Sequence, residues 1–573
     1  MSKVKLRSIQ EKVINKVRDA IKAGKTDIFI QAPTGTGKSL IGLEIAAGYS
    51  TYILTSEKSL QQQYEEDTIR FNAYDDVKSI CGMDTYRCEV NDEKFSLGVC
   101  RSLNMSNTEA MKLPCAENCE YLQRWRKAKD ADRTIMNYSY WLIQMNFVLA
   151  KMEERAPFLM RELVVCDEAH KLPDIIESHF ACTIDKKIID KITRCFNTLR
   201  GHRTLSTNID TQPLFNAINR VITLSLKDDS STVHLEALRV LAREYASVLG
   251  YVNTLKESLG SKFLSKKNTV ADLKQMARRL PKEVKALFSL ADNLKDRHCK
   301  VEDYVENIDN HGIHNLIVDA DAPHSRTYHN LSDTDLFQKH FAKFSQVRVY
   351  MSATLQPELL MKRWGIDRDK AHVMFIDSEW EDDKSRVVLC NTSNMAFHNA
   401  ENSIRDATKK INLLLEKHKN ERGVIHTTSN QITEDISTTV HIRHRDRLVR
   451  YASTKEKMEI LASWDDYPKD AVLIGPSLTT GVDLKDGRAR FNIVVKLSFP
   501  NMQSALWAKR AECLNHIYIG ETASVLEQSC GRTTRSKDDY SVTYILDSRA
   551  EKFMLQHQKY FSPSFLERVR LEK

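Results

Sequence analysis

Residues 27 to 39 read DIFIQAPTGTGKS. Three apolar residues in a row, Ile28, Phe29 and Ile30, run into a turn rich in Gly and Thr, and the following LIGLEIAAGY has apolar spacing suited to a helix. The order is therefore strand, loop, helix. Ala32, Gly37, Lys38 and Ser39 fit the phosphate-loop pattern, with Ala where the stricter form has Gly. Glycines let successive backbone N–H groups turn inward around a phosphate, and the helix N-terminus adds partial positive charge. Thr34, Gly35, Thr36, Gly37, Lys38 and Ser39 are thus expected to hold ATP. Lys38 reaches the β- and γ-phosphates, and the Ser39 hydroxyl ligates Mg²⁺.

The rest of the chain has to house that loop. At 573 residues it exceeds one core, and about 150 residues per domain suggests three or four domains. Hydrophobic residues at 42% and charged residues at 28% are ordinary for a globular protein, and the net charge of +8 is compatible with a polyanion partner. No stretch approaches the roughly 18 apolar residues of a membrane span, and the N-terminal MSKVKLRSIQ lacks an apolar h-region. A cytoplasmic location with no membrane partner is expected. Of 12 cysteines, Cys81, Cys88, Cys100, Cys115 and Cys119 crowd one short segment, which in a reducing compartment points to metal and not to disulfides.

Upstream of the loop, residues 4 to 24 have helical apolar spacing, and Gln10 at the start of that helix presents the paired donor and acceptor that an adenine edge requires. Downstream, Tyr52 to Leu54 reads as a second buried strand. Thr55 and Ser56 stand at its C-terminal end, where open α/β sheets bind ligands and where hydroxyls suit a phosphodiester backbone. The cysteine segment, Asp75 to about Arg133, breaks the alternation of strands and helices and reads as a small insertion that needs a staple. RTIMNYSYWLI and RELVVCDEAHKL resume the strands. The second ends in Asp167 and Glu168, one carboxylate for the Mg²⁺ shell and one to orient and deprotonate the attacking water.

From about Pro173 to Asp309 the pattern is long, charged and helical, with Leu235, Leu238, Leu241 and Ala242 as core positions of helical hairpins. NLIVDADAP and SRTYHNL read as two short strands leading back to the main sheet. VRVYMSATL follows, ending in the hydroxyls of Ser352 and Thr354. From about Ser378, six short β-rich runs separated by helical segments have the rhythm of a second parallel sheet. Late in that half lie TTGVDL, containing Asp483, and QSCGRTTRS, where helical spacing puts Gln528, Arg532 and Arg535 on one face, an array suited to a triphosphate.

With these motifs in order, the chain resembles a superfamily 2 helicase with a DEAH box, and more narrowly the iron–sulfur branch typified by XPD and DinG. The resemblance is carried by Gln10, Ala32 to Ser39, Thr55 and Ser56, Asp167 to His170, Ser352 to Thr354, Gly481 to Asp483, and Gln528, Gly531, Arg532 and Arg535. Cys530 stands where that family usually has an aliphatic residue. The resemblance implies an α/β fold with two RecA-like motor domains, the first interrupted by a Cys-rich iron–sulfur domain and a mostly helical arch. The implied boundaries are 1–72, 134–173 and 316–377 for the first motor, 73–133 for the cluster domain, 174–315 for the arch and 378–573 for the second motor. It further implies a 5′ to 3′ DNA helicase acting on single-stranded and forked DNA. Lys38, Asp167, Glu168, Gln528, Arg532 and Arg535 would be catalytic, Gln10 and Asp483 would belong to the nucleotide site, and His170, Ser352 and Thr354 would couple that site to DNA.

Cys88, Cys100, Cys115 and Cys119 are the cluster ligands that the resemblance implies, with Cys81 spare; four thiolates suit [4Fe–4S]. Zinc stays open as an alternative, although zinc ribbons normally use two close Cys pairs and here only Cys115 and Cys119 are close. Arg124, Trp125 and Arg126 offer a basic and aromatic patch for single strands. Two other functions fit the same motifs: an ATP-dependent remodeller of R-loops, with an RNA–DNA hybrid as partner, or of ribonucleoproteins; and an RNA helicase.

Overall fold

In a computed structural model, the protein is described over residues 4–33, 35–71, 74–102, 105–200, 208–224, 231–260, 269–270, 273–274, 282–311, 316–320, 324–376, 382–396, 400–476, 478, 484, 487–531 and 540–572. The apolar strand before the phosphate loop, Asp27–Gln31, is buried along its whole length. It pairs in parallel with Ala371–Phe375 on one side and Ser345–Ser352 on the other. The seven-stranded sheet continues from Ser345–Ser352 through Arg161–Asp167, Thr51–Thr55 and Arg133–Asn137 to Val77–Ser79, every pair parallel. Because the strands are parallel, Gln31, Ser352 and Asp167 finish at one edge of the sheet. Strand ends that lie far apart in sequence thereby share one crevice.

A second seven-stranded parallel sheet is built from the later β-rich runs, in the order Leu448–Val449, Val472–Pro476, Gly423–Thr427, Phe491–Val494, Val542–Asp547, Val387–Ser393 and Val569–Leu571. The last of these, VRL, is half-buried only at Val569 and short enough to carry no sequence signal. Two parallel α/β sheets with crossover helices are the two RecA-like domains expected from the sequence.

Between the first sheet's DEAH strand and its Ser345–Ser352 strand the chain makes a helical insertion. Its two longest helices, Ser231–Gly260 and Lys282–His311, pack as a hairpin through Leu238, Leu241, Tyr245, Leu287, Leu294 and Val301, so the repeated Leu and Val positions are core, as their periodicity predicts. The strand pair expected at 316–330 exists. It does not lead into the main sheet, however: Leu316–Asp319 and Ser325–Asn330 form a separate antiparallel sheet with Cys182–Asp185 at the base of the insertion. A local pattern reveals a strand but not its partner, which is why sequence misplaced this one.

The cysteine-rich segment contributes the edge strand Val77–Ser79 and then winds through short turns to the helix Glu120–Asp130. Cys88, Val90 and Val99 join the core of the helical insertion, whereas Cys100 and Cys119 join that of the first sheet, so the segment is wedged between the two. The insertion also reaches the second RecA-like domain. Asp319 accepts from Ser504 Oγ at 2.9 Å and from the backbone N–H of Ala505, capping the helix Ala505–Cys513.

Candidate functional site

The phosphate loop turns on two left-handed glycines, Gly35 at φ +87° and Gly37 at φ +77°. At Gly37 a side chain is excluded twice over, since a Cβ there would also lie 2.5 Å from Gln10 Nε2. That contact reports the role of Gln10 in this state. It is buried, donates from Nε2 to Thr36 O at 2.9 Å, and accepts on Oε1 from the backbone N–H of Arg7 at 2.9 Å. Gln10 is therefore no solvated helix residue; it props the loop from the N-terminal helix Ser8–Lys22. Lys38 Nζ approaches Ala32 O at 3.5 Å, and Ser39 opens the helix with Lys38 at its head. Thr34 lies outside the described residues.

Across the crevice, Asp167 is buried at the end of its strand, and Glu168 follows in the left-handed region at φ +51°. For a residue with a Cβ this conformation costs about 1–2 kcal/mol, and backbone strain of this kind collects at functional sites. Glu168 Oε2 accepts from Ser352 Oγ at 3.3 Å and lies 3.3 Å from His170 Nδ1, while His170 Nδ1 and Ser352 Oγ are 2.7 Å apart. The backbone N–H of Thr354 donates to the same Ser352 oxygen at 3.2 Å. Burial and the neighbouring Glu168 charge push the Asp167 carboxyl upward against the pull of Lys38. Burial alone would raise Glu168 too. The His170 hydrogen bond and the charges of Lys38, His170 and Lys171 win, holding Glu168 ionised well below the usual carboxylate range. A carboxylate that is ionised, half-buried and oriented by two side chains can position water and accept a proton.

The second RecA-like domain closes against this edge. Gln31 Nε2 donates to Ala353 O at 3.2 Å and to Glu527 Oε1 at 3.4 Å, and Glu527 accepts from the Ser562 backbone N–H at 3.2 Å. Gln356 Nε2 donates to Tyr560 O at 2.8 Å. Gln31, Pro33 and Ala353 thus face Ser562, Pro563 and Ser564 across a narrow cleft. Gln528, beside Glu527, donates to Ser524 Oγ at 3.1 Å at the end of the helix Asn515–Cys530. Arg532, Arg535 and Asp483 lie outside the described residues.

Two further placements differ from expectation. Thr55 is fully buried and donates to Glu57 O at 3.3 Å, so only Ser56 of that pair meets solvent. Trp125 is 6% exposed within the core, and Arg124 is held by Glu65 at 3.0 Å and by Glu120 at 3.0 Å. Trp125 offers no face for a base to stack on, because the helix Glu120–Asp130 turns its Tyr121, Leu122 and Trp125 side inward.

Sequence reasoning missed a largely buried ion network joining the two domains behind the cleft. Arg510, on the second domain's helix Ala505–Cys513, donates to Glu177 at 2.7 Å, Asp333 at 2.9 Å and Leu331 O at 3.3 Å. Arg363 pairs with the same Asp333. Glu177 belongs to the helix Leu172–Phe180, directly after the DEAH turn. Charged residues in amphipathic helices read as solvated, and no local signal marks these as buried.

Among the cysteines, Cys100 is pushed up to about 11 by burial and by Cys88 and Cys119, against Arg101. Cys115 is pushed up to about 12 by burial and by Cys100, Cys88 and Cys119. Cys100 and Cys115 are therefore within electrostatic reach of Cys88 and Cys119, and none of the four is in a disulfide. Cys81 stands apart, its thiol donating to Gln61 Oε1 at 3.2 Å. Among the described residues, no three His, Cys, Asp or Glu side chains are gathered as a site for a metal ion. In donor chemistry, four cysteine sulfurs suit a cationic cluster that would take them as thiolates.

A family described as type III restriction enzyme, res subunit, matches residues 3–198, and one described as helicase C-terminal domain matches residues 412–565. The ATP-dependent DNA helicase YoaA of Escherichia coli (strain K12) is 22% identical over 460 residues, covering 76% of this chain and 67% of that protein. The structure of S. tokodaii Xpd4 superposes with a TM-score of 0.59 at 16% identity, covering 99% of this chain and 100% of the other. An XPD helicase structure superposes with a TM-score of 0.60 at 15% identity, covering 100% of both chains. The first family match spans the phosphate loop and the DEAH strand, the second spans most of the opposing sheet, and the fold is shared with the XPD structures from end to end: together these likenesses support a superfamily 2 helicase of the XPD/DinG-like type.

Proposed function

We propose that this ATP-dependent helicase translocates 5′ to 3′ along single-stranded DNA and separates duplex at forks. The observation that carries the mechanism is the contact among Glu168, His170 and Ser352, which joins the proposed base to the strand that leads into Ala353 and the interdomain cleft. ATP would lie between the two domains, with its phosphates on Lys38 and the 35–37 turn. Mg²⁺, held by Ser39 and Asp167, would supply charge neutralisation at the β- and γ-phosphates. Glu168 holds water and takes its proton; His170 and Ser352 keep the Glu168 carboxylate in place. Arg532, Arg535 and Gln528 are proposed to complete the site from the second domain, Asp483 to belong to the nucleotide site, and Thr354 to share in the coupling. The domain division is 1–72, 134–173 and 316–377 for the first motor, 73–133 for a cluster domain, 174–315 for an arch and 378–573 for the second motor. DNA as the substrate is supported by the likeness to YoaA, an ATP-dependent DNA helicase.

The test is unwinding of duplexes with a 5′ or a 3′ overhang, with and without ATP. Unwinding of the 5′-tailed duplex alone is expected, and Lys38→Ala should abolish it while strand binding persists. Unwinding of only the 3′-tailed duplex reverses the polarity, and ATPase stimulated by RNA but not DNA moves the substrate to RNA.

Cys88, Cys100, Cys115 and Cys119 are proposed to hold a [4Fe–4S] cluster; zinc would need their sulfurs drawn around a single ion at about 2.3 Å. Protein purified without oxygen should be brown, with broad visible absorption and about four irons per chain. A colourless preparation containing zinc and no iron decides against the cluster.

A further inference from the structure

The helix Lys58–Phe71 follows the second strand and lies outside every motif considered so far. Two of its side chains, one turn apart, end on the two groups proposed to hold Mg²⁺. Asp67 Oδ2 accepts from Ser39 Oγ at 2.6 Å, and Tyr64 OH donates to Asp167 Oδ2 at 3.0 Å. We infer that Tyr64 and Asp67 are positioning residues for the metal of the nucleotide site, an inference that rests on the proposed phosphate-loop function.

A serine hydroxyl has one proton to donate and two lone pairs to offer. With the proton committed to Asp67, the lone pairs are left for a cation, which is the orientation a metal-ligating hydroxyl needs. Without Asp67 the hydroxyl is free to rotate its proton toward the cation, where the two repel.

Asp167 is treated in the same way. Its Oδ1 accepts the Glu168 backbone N–H at 2.9 Å, its Oδ2 accepts Tyr64, and its carbonyl accepts Tyr138 OH at 3.0 Å. Each carboxylate oxygen keeps a lone pair while the plane of the group is fixed. The two helices lie close enough for this reach: a Cβ at Gly42, on the phosphate-loop helix, would come within 2.9 Å of the Tyr64 hydroxyl. Tyr64 is wholly buried and Asp67 half-buried, so the first is rigid and the second can follow the loop when nucleotide enters.

Partners of this kind behind metal ligands are worth about 10- to 100-fold in metal affinity. The experiment titrates Mn²⁺, as a paramagnetic stand-in for Mg²⁺, into full-length protein saturated with ADP, reading free Mn²⁺ by electron paramagnetic resonance. ADP binding in EDTA is measured in parallel. Asp67→Ala, Asp67→Asn and Tyr64→Phe are each expected to weaken Mn²⁺ binding by about 10- to 100-fold while binding ADP without metal as the wild type does. A purely structural role would weaken both together and overturns the inference, as does wild-type Mn²⁺ affinity in folded Asp67→Asn and Tyr64→Phe. Should Asp67→Ala not fold, those two variants decide. Undiminished nucleotide binding by Lys38→Ala would instead remove the phosphate-loop function, and this inference with it.

Discussion

Glu168→Gln is expected to lower ATP turnover by about 10²- to 10⁴-fold, the usual contribution of a positioned general base, with nucleotide affinity nearly unchanged. The substitution preserves volume and leaves an amide oxygen to accept from Ser352, so the contacts at 3.3 Å and 2.7 Å around His170 survive. Only basicity is lost. In the native site that basicity is managed and not maximal. The carboxylate is held ionised by the His170 hydrogen bond and by Lys38 against the cost of burial. The measurement is phosphate release in a single turnover beside equilibrium nucleotide binding. Turnover within about twofold of wild type would place the base elsewhere, since a true base accounts for at least about 10²-fold.

The largest effect on stability is expected at Arg510. Its side chain is wholly buried and is shared by Glu177 and Asp333, with Arg363 as the only other cation paired with both of them among the described residues. Arg510→Met retains much of the packing and strands the carboxylates. Breaking a buried pair from one side costs about 3–5 kcal/mol. The loss should depend on pH. Burial already raises Glu177 and, close by, Glu521, with Arg363 and Arg510 opposing the rise in both cases. Removing Arg510 raises them further. A carboxyl whose folded pKa exceeds its unfolded value contributes stability below the unfolded value and loses it as pH rises through the folded one. The variant's deficit should therefore narrow toward pH 5 and widen toward pH 8, as read from denaturant midpoints at both. An equal deficit at the two values would mean that packing and not charge is responsible. Because Arg510 ties the second domain to the helix behind the DEAH turn, the same variant should lose ATPase stimulation by DNA.

These two residues mark the two ends of what can be read locally. The placement of Glu168 just past the end of a buried strand is legible because it is written in consecutive residues: an apolar strand, two acids, then Ala and His. Arg510 is not, because WAKRAEC has the composition of a solvated helix and only the neighbouring domain makes it interior. Trp125 failed in the opposite direction. The motif RWR reads as a surface for nucleic acid until the core receives its aromatic side. Tyr64 and Asp67 carried a faint signal, two polar groups one turn apart on the helix after the second strand, but nothing in YEEDTIRF says what they face.

By itself, then, the amino-acid order determined what short-range physics determines. Glycines impose the loop at 35–37, apolar runs become parallel strands, and periodic leucines fill the helical hairpin. Tertiary structure alone decided which distant groups share a space: Gln10 under the loop, Ser352 and His170 on Glu168, Asp67 on Ser39, and Arg510 between two domains. The reason is that sheet order and domain contact come from burying whole faces against one another. That free energy is summed over hundreds of atoms and is carried by no single motif.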